Sequence, residues 1–338
     1  MTTETPWIER TREEPLEPDL PIIDPHHHLW HRPRNRYILK DLLADLEGQN
    51  VRQTVFVECS SMYRAGGAEE FLVIGETEWV QGIAAQSGSG GFGETRVATG
   101  IVGSADLRLG DRVAPVLEAH LSASPQRFRG IRHRAAWAEP GVVTTQAPSQ
   151  PAHLLMDPDF RRGFAYLRPY ALSFEAWLYH TQLPELADLA RTFPDTVIIL
   201  NHLGGPLGVG PYAGKRDEVF AQWKKDVAAV AACQNVVLKV GGIQMVINGF
   251  GWHERDRPPT SDELLEANRD WYLYAIEQFG PTRCMFESNF PVDKLSCSYT
   301  VLWNQFKKLT KSFSAHERAA MFHDTAQRIY RLPDHLPG

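Results

Sequence analysis

The stretch IIDPHHHLW at residues 22–30 opens as an apolar β-type run and closes on three consecutive histidines. It therefore reads as a strand whose last residues reach a polar mouth. Seven comparable runs follow: QTVFVECS from Gln53, RVATGIVG from Arg96, RFRGIRH from Arg127, SFEAWLYH from Ser173, TVIILNHLGG from Thr196, NVVLKVGG from Asn235 and CMFESNF from Cys284. Several are rich in Val, Ile and Phe with little alternation, as strands covered on both faces require. Between them lie LKDLLADLE, APVLEAHL, LPELADLARTF, EVFAQWKKDVAAVAA and DELLEANRDWYLYAIEQF, whose apolar residues recur at three and four and suit helices packed on a sheet. Ser261 before Asp262 and Glu263, and Ser314 three residues ahead of Glu317, mark two helix starts. Eight strands, each followed by helix, predict an α/β fold closed as a (β/α)8 barrel, with an open doubly wound sheet as the alternative.

Residues 1–21 form a polar, proline-rich N-terminal extension, and residues 22–335 are expected to make a single barrel domain. Three connections, at 61–95, 138–160 and 244–262, are too long for plain turns. As insertions after barrel strands, they are candidates for a cover over the mouth.

Composition narrows the function. With 338 residues and 43% hydrophobic side chains, the chain can bury a large core. The balance of 35 basic to 41 acidic residues leaves no cationic excess for a phosphate backbone, so nucleic acid is not an expected partner. Four cysteines without a CxxC pair indicate neither a zinc knuckle nor a disulfide framework. No signal peptide and no run near the ~18 apolar residues of a membrane span is present, so the expected setting is the cytoplasm. Oligomeric state is left open, a homodimer being the commonest default.

In a barrel, catalytic groups stand at the C-terminal ends of the strands, and this sequence concentrates polar residues there. The ends carry Asp24 and the 26–28 histidine triplet, Arg132–His133, His180, Asn201–His202, Lys239, and Glu287 with Asn289. Side chains alternate along a strand, so His26 and His28 share a face and can bind one metal, with His180 as the natural third ligand. Asp24, on the same face, could orient a ligand. His202, at a sharp glycine turn, is placed to act as an acid or base. Arg132 and Lys239 either pair with Asp24, Glu58 or Glu287 inside the barrel or hold a substrate carboxylate, with His133 alongside. Trp30, just past the triplet, is a candidate wall for a substrate ring, as are Trp137 and Trp252, although packing is the simpler role.

Taken together, DPHHHLW, FRGIRH, NHLGGP, KVGG, MFESNFPVD and HDTAQRIYRL resemble the amidohydrolase superfamily, within its amidohydrolase-2 group, from Ile22 to about Leu332. The resemblance implies a distorted (β/α)8 barrel. It also implies a divalent metal held by His26, His28 and His180, zinc first, with manganese or a metal-free enzyme as alternatives, and an acid, base or carbonyl-polarising role for His202. The group commonly ends strand eight in an aspartate that serves as metal ligand and general base. Here Asn289 stands in that place, so Glu287, or Asp293 beyond the proline, becomes the expected base. The activity expected is opening of a lactone of a carboxylated sugar acid or aromatic-degradation intermediate, a small and anionic substrate. The rival expectations are non-oxidative decarboxylation of an aromatic or unsaturated acid, and a barrel that binds a ligand without turning it over.

Overall fold

Eight parallel strands follow one another around the sheet in chain order: β1 (Ile22–His27), β2 (Val51–Val57), β3 (Arg96–Gly103), β4 (Phe128–Ile131), β5 (Ser173–Ala176), β6 (Ile198–Leu200), β7 (Val236–Val240) and β8 (Cys284–Phe286). The computed structural model describes residues 5–143 and 150–334. The expected domain limit at 335 and part of the 138–160 connection lie outside them. β8 meets β1 through a single parallel bridge, His27 to Phe290, so the barrel is nearly closed rather than evenly laddered. The open-sheet alternative is thereby set aside.

The eight helices that follow the strands are α1 (Leu39–Leu46), α2 (Ile74–Gly88), α3 (Ala114–Ala123), α4 (Pro158–Ala165), α5 (Leu183–Thr192), α6 (Arg216–Ala231), α7 (Ser261–Phe279) and α8 (Tyr299–Leu309). The N-cap of α7 is Thr260, one residue before the expected Ser261: its hydroxyl accepts from the Glu263 amide while the Glu263 carboxylate accepts from the Thr260 amide. Ser314 and Glu317 form the same reciprocal cap, as expected, at the head of α9 (Ala315–Ala319). A π-helical turn (Ala320–Asp324) joins α9 to α10 (Thr325–Ile329). No helix among the described residues is long and apolar enough to cross a membrane.

Two apolar layers support the sheet. Between strands and helices runs the main core, while inside the barrel Ile23, Val55, Val57, Val102, Ile199, Val237 and Met285 pack against Tyr330 and Leu332 of the C-terminal segment. The barrel floor is thus plugged by apolar side chains, and polar groups are left to the opposite end.

The strands are shorter than the apolar runs suggested, because the polar residues at their ends leave the ladder. β1 stops at His27, and Trp30–Arg32 instead pairs with Asn35–Tyr37 as a small antiparallel hairpin. The 61–95 connection is no simple lid, since α2 occupies much of it. Residues 244–262 are tied down by the N-terminal extension: Trp7 Nε1, Arg10 Nη1 and Thr11 Oγ1 donate to the carbonyls of Arg255, Asp256 and Pro258. Of the three long connections, 138–160 contributes most to the wall of the mouth.

Candidate active site

At the C-terminal end of the barrel, residues from β1, β6 and β8 meet. His202 Nδ1 lies 2.7 Å from Glu287 Oε1, and that same oxygen accepts the His202 amide at 3.2 Å. His26 Nδ1 lies 2.8 Å from Glu287 Oε2, and the His26 and His202 rings are 4.5 Å apart. All three residues are buried.

Backbone detail lets these groups meet. The chain leaving β6 keeps a left-handed conformation through His202, Leu203, Gly204 and Gly205 (φ 52°, 54°, 72° and 52°), a costly run for non-glycine residues that turns the imidazole inward. Gly242, after β7, has φ +64°, and a Cβ there would fall 1.9 Å from His202 Nδ1. A Cβ on Gly241 would come within 2.7 Å of Glu287 Cγ. The KVGG motif is therefore a slot cleared for the His202–Glu287 pair.

Charge is distributed unevenly around the cluster. Lys239 Nζ is 3.2 Å from His26 Nδ1 and donates to Glu175 Oε2 at 2.9 Å. Glu175 also accepts from Asn201 and from the Tyr330 hydroxyl, so its charge is compensated within the barrel. Burial, reinforced by neighbouring cations, holds His26 and His202 well below the usual histidine range, and both rings are neutral. Burial lifts the Glu287 carboxyl to about 8; Lys239 opposes this and Glu175 adds to it. Near neutral pH the cluster thus consists of two neutral imidazoles sharing a proton-bearing carboxyl group.

Opposite stands a charged group. Glu58, the residue after β2, accepts from Arg132 Nε at 2.7 Å and from Arg134 Nε and Nη2 at 2.8 and 2.9 Å. Burial would raise its pKa, but the two guanidinium groups outweigh that and hold it down to about 2. Two arginines share one carboxylate, so a positive charge remains. A cavity of about 370 Å³ opens over these groups, with His28, His202 and Asn289 beside Trp30, Trp177 and Tyr179, and with Arg32, Arg132 and Arg134 among its cationic lining. Glu139 lies on the same wall as an acidic counterweight.

Of the residues singled out from the sequence, His26, His202 and Glu287 converge. Trp30, His28, Arg132 and Asn289 line the cavity. The other residues singled out have their own partners. His28 Nδ1 is 2.8 Å from the Val57 carbonyl, which fixes the proton on that nitrogen and leaves the lone pair on Nε2. His180 accepts from the Leu207 amide at 3.3 Å, packs against Tyr212 and stands apart from the His26–His202–Glu287 group. Lys239 has no exposed surface and is engaged by Glu175 beneath the cavity, because an ammonium this deep needs a carboxylate partner. His133 accepts from the Leu107 amide and packs on Phe160 outside the cavity lining. Asn289 adopts φ +54° and donates through Nδ2 to Asp293 Oδ1 at 2.9 Å. An aspartate there would face another carboxylate. Asp24 accepts from the amides of His26 and Ser288 and from the Tyr299 hydroxyl, so it braces backbone and Tyr299 rather than an imidazole. Trp137 and Trp252 do not line the cavity, and Trp252 donates to Gln244.

Arg134, Arg32 and Glu175 were missed from the sequence. An arginine two residues after Arg132 shares its face, and a glutamate inside an otherwise apolar strand demands a buried cation, so both signals were available.

The donors fit a divalent cation. One atom from each of His26, His202 and Glu287 lies within 4.8 Å of the other two. Glu287 Oε2, though 2.8 Å from His26 Nδ1, makes no aligned hydrogen bond and is left as a buried oxygen lacking a proper partner. Neutral imidazoles with a carboxylate are a normal ligand set for zinc.

The model of the Amidohydrolase family matches residues 23–332. Among proteins of similar sequence, the uncharacterised protein y4mH of Sinorhizobium fredii is 35% identical over 336 residues, covering 93% of this chain and 99% of its own. L-fucono-1,5-lactonase of Burkholderia multivorans is 28% identical over 246 residues, covering 71% and 74%. Among solved structures, an amidohydrolase from Burkholderia multivorans with bound zinc superposes with a TM-score of 0.71 at 25% identity, covering 92% of this chain and 99% of that one. With its barrel, its clustered histidines and a match spanning nearly its whole length, the chain belongs to the amidohydrolase family and is a hydrolase.

Proposed function

We propose that this enzyme opens a lactone of a small, carboxylated acid by hydrolysis at the His26–His202–Glu287 cluster. The observation that carries the reading is the convergence of these three side chains at the C-terminal mouth, with one carboxylate oxygen lacking an aligned partner. Two named relatives, L-fucono-1,5-lactonase and L-rhamnono-gamma-lactonase, support the lactone class. His26, His202 and Glu287 would hold a divalent cation, zinc first, with the His28 ring 5.0 Å from that of His26. Bound there, the ion would polarise the ester carbonyl and acidify water.

The chain's own groups supply the rest. Glu287, once ionised, takes a proton from attacking water. As water oxygen bonds to the carbonyl carbon and the ring C–O bond breaks, that proton passes to the departing alkoxide. Arg32 and the single positive charge left over where Arg132 and Arg134 share Glu58 attract the substrate's carboxylate, while Trp30, Trp177 and Tyr179 flank the ring. Among the described residues, Arg32 is held by the Cys59 carbonyl at 3.0 Å and by stacking over Trp30, and it has no carboxylate partner.

The test is a panel of sugar-acid and pyrone-type lactones followed by a pH indicator, beside a panel of aromatic and unsaturated acids followed by carbon dioxide release. Acidification without gas supports ring opening. Gas without acidification would replace it with decarboxylation, and silence in both would favour a binding barrel. His202→Ala is expected to fold and to lose most of kcat; wild-type turnover would remove His202 from the chemistry.

A further inference from the structure

At the opposite end of the barrel, Arg96, Arg127, Arg129 and Arg331 line a second cavity of about 370 Å³ together with Thr99 and Gln126. Arg96 opens β3, Arg127 immediately precedes β4, Arg129 lies within it and Arg331 follows α10, so the cavity belongs to the N-terminal face, away from the active site. We propose that this cavity is a binding site for a phosphoryl group, carried by inorganic phosphate or by a small phosphorylated metabolite.

The argument rests on charge without compensation. Arg96 Nη1 donates to the carbonyls of Gly93 and Glu94 at 2.8 and 2.9 Å, and Arg127 Nη1 to Gln81 Oε1 at 3.3 Å. Arg129 donates to the carbonyls of Tyr330, Phe128 and Gln126, and Arg331 to that of Ala171 at 2.7 Å. Every acceptor is neutral. Among the described residues none of these guanidinium groups has a carboxylate within ion-pair distance, whereas Arg132 and Arg134 at the mouth both have Glu58. Neutral carbonyls orient the forks but leave the charge standing. In a chain with net charge −6, four uncancelled cations around one hollow need a reason. The mutual repulsion is felt: burial, then Arg331 and Arg127, bring Arg129 down to about 10.

Guanidinium forks match the oxygens of phosphate, and several cations around one hollow suit a tetrahedral dianion better than a planar monocarboxylate. The volume falls within the ~300–1,000 Å³ usual for small-molecule sites, leaving space for an organic group on the phosphate.

The experiment titrates the full chain with inorganic phosphate and, separately, glucose 6-phosphate at about pH 8 and constant ionic strength, by calorimetry and by thermal shift. Arg129 is spared, since its carbonyl bonds hold the C-terminal segment. The variants are the double Arg127→Gln/Arg331→Gln, Arg134→Gln in the active-site cavity, and Arg112→Gln as an exposed control. Saturable binding is expected, raising Tm. The double variant should weaken it at least ~10-fold, as loss of charge-assisted bonds predicts, while Arg134→Gln and Arg112→Gln leave it unchanged. Glucose 6-phosphate binding more tightly than phosphate would identify a metabolite as the ligand, and the reverse would identify the free ion. The proposal falls if no saturable binding occurs, if chloride at matched ionic strength gives the same shift, or if citrate binds equally well. It also falls if Arg134→Gln rather than the double variant abolishes the signal, which would place the anion in the active-site cavity.

Discussion

Glu58 and Glu287 occupy equivalent positions, each the first residue after a barrel strand, each almost wholly withdrawn from solvent, yet their surroundings drive them in opposite directions. Glu58 meets two guanidinium groups and is a permanent anion, its pKa held down to about 2. Glu287 meets two imidazoles kept neutral by burial, and its carboxyl is lifted to about 8, within reach of the working pH. Depth alone does not decide whether a buried carboxyl serves as scaffold or as proton carrier. The partner's ability to remain charged does. One side of the mouth is thus built to hold charge fixed, the other to move a proton.

The largest effect should come from breaking the proton-carrying side. Glu287→Gln preserves shape but cannot ionise, and it should cost roughly 10³-fold in kcat/KM, the scale of losing one preorganised catalytic group. Its Tm at about pH 9 should be no lower than that of the wild type, because a neutral amide escapes the cost of burying a charge. Steady-state assays and thermal melts on the same preparations check both. On the scaffold side, Glu58→Gln strands Arg132 and Arg134 beside a neutral group and should destabilise the fold by about 3–5 kcal/mol, read from urea midpoints.

Stability against pH sharpens the contrast in chelator-treated protein. Glu58 has a folded pKa below its unfolded value of 4.5, so its contribution is complete above 4.5 and lost as pH falls toward about 2. Glu287 has a folded pKa above 4.5, so its contribution is complete below 4.5 and lost as pH rises through about 8. Glu58→Gln should flatten the acid limb of the Tm profile and Glu287→Gln the alkaline limb; the opposite assignment would overturn the comparison. A smaller effect is expected of Gly242→Ala. Its Cβ would meet His202 Nδ1 at 1.9 Å, so the variant should lose about 1–3 kcal/mol of stability and activity out of proportion to that loss. Smallest of all, His180→Ala should leave metal content and kcat/KM within a few-fold of wild type, since its ring engages Leu207 and Tyr212. Loss of bound metal in that variant would bring His180 back into the ligand set.

The barrel was legible because each strand run keeps its apolar character and the helices between mostly show one apolar stripe. Three helices escaped: α2, the short α4 and α8. α2 buries Glu76, Thr77 and Ser87 along with Val80 and Ile83, so its inner face does not read as apolar. α8 carries Thr300, Asn304, Lys307 and Lys308 at helical spacing on one side and Leu302, Trp303 and Phe306 on the other, so its signal was available in the sequence. In the site, the 26–28 histidine triplet, His202 and Glu287 could be read from strand-end position. The roles of Lys239 and His180 could not, because a strand-end residue can point to substrate, to a buried counter-ion or to backbone, and that choice is made by partners remote in sequence such as Glu175 and Leu207.

The most direct test of the central claim is a zinc titration of the metal-free chain at about pH 7, following heat and released protons together. Wild type should bind about one ion per chain at the cluster and release a proton as Glu287 ionises, and Glu287→Gln should lose both the tight binding and the proton. Equal binding and equal proton release in the two proteins would place the metal elsewhere and contradict the assignment of His26, His202 and Glu287.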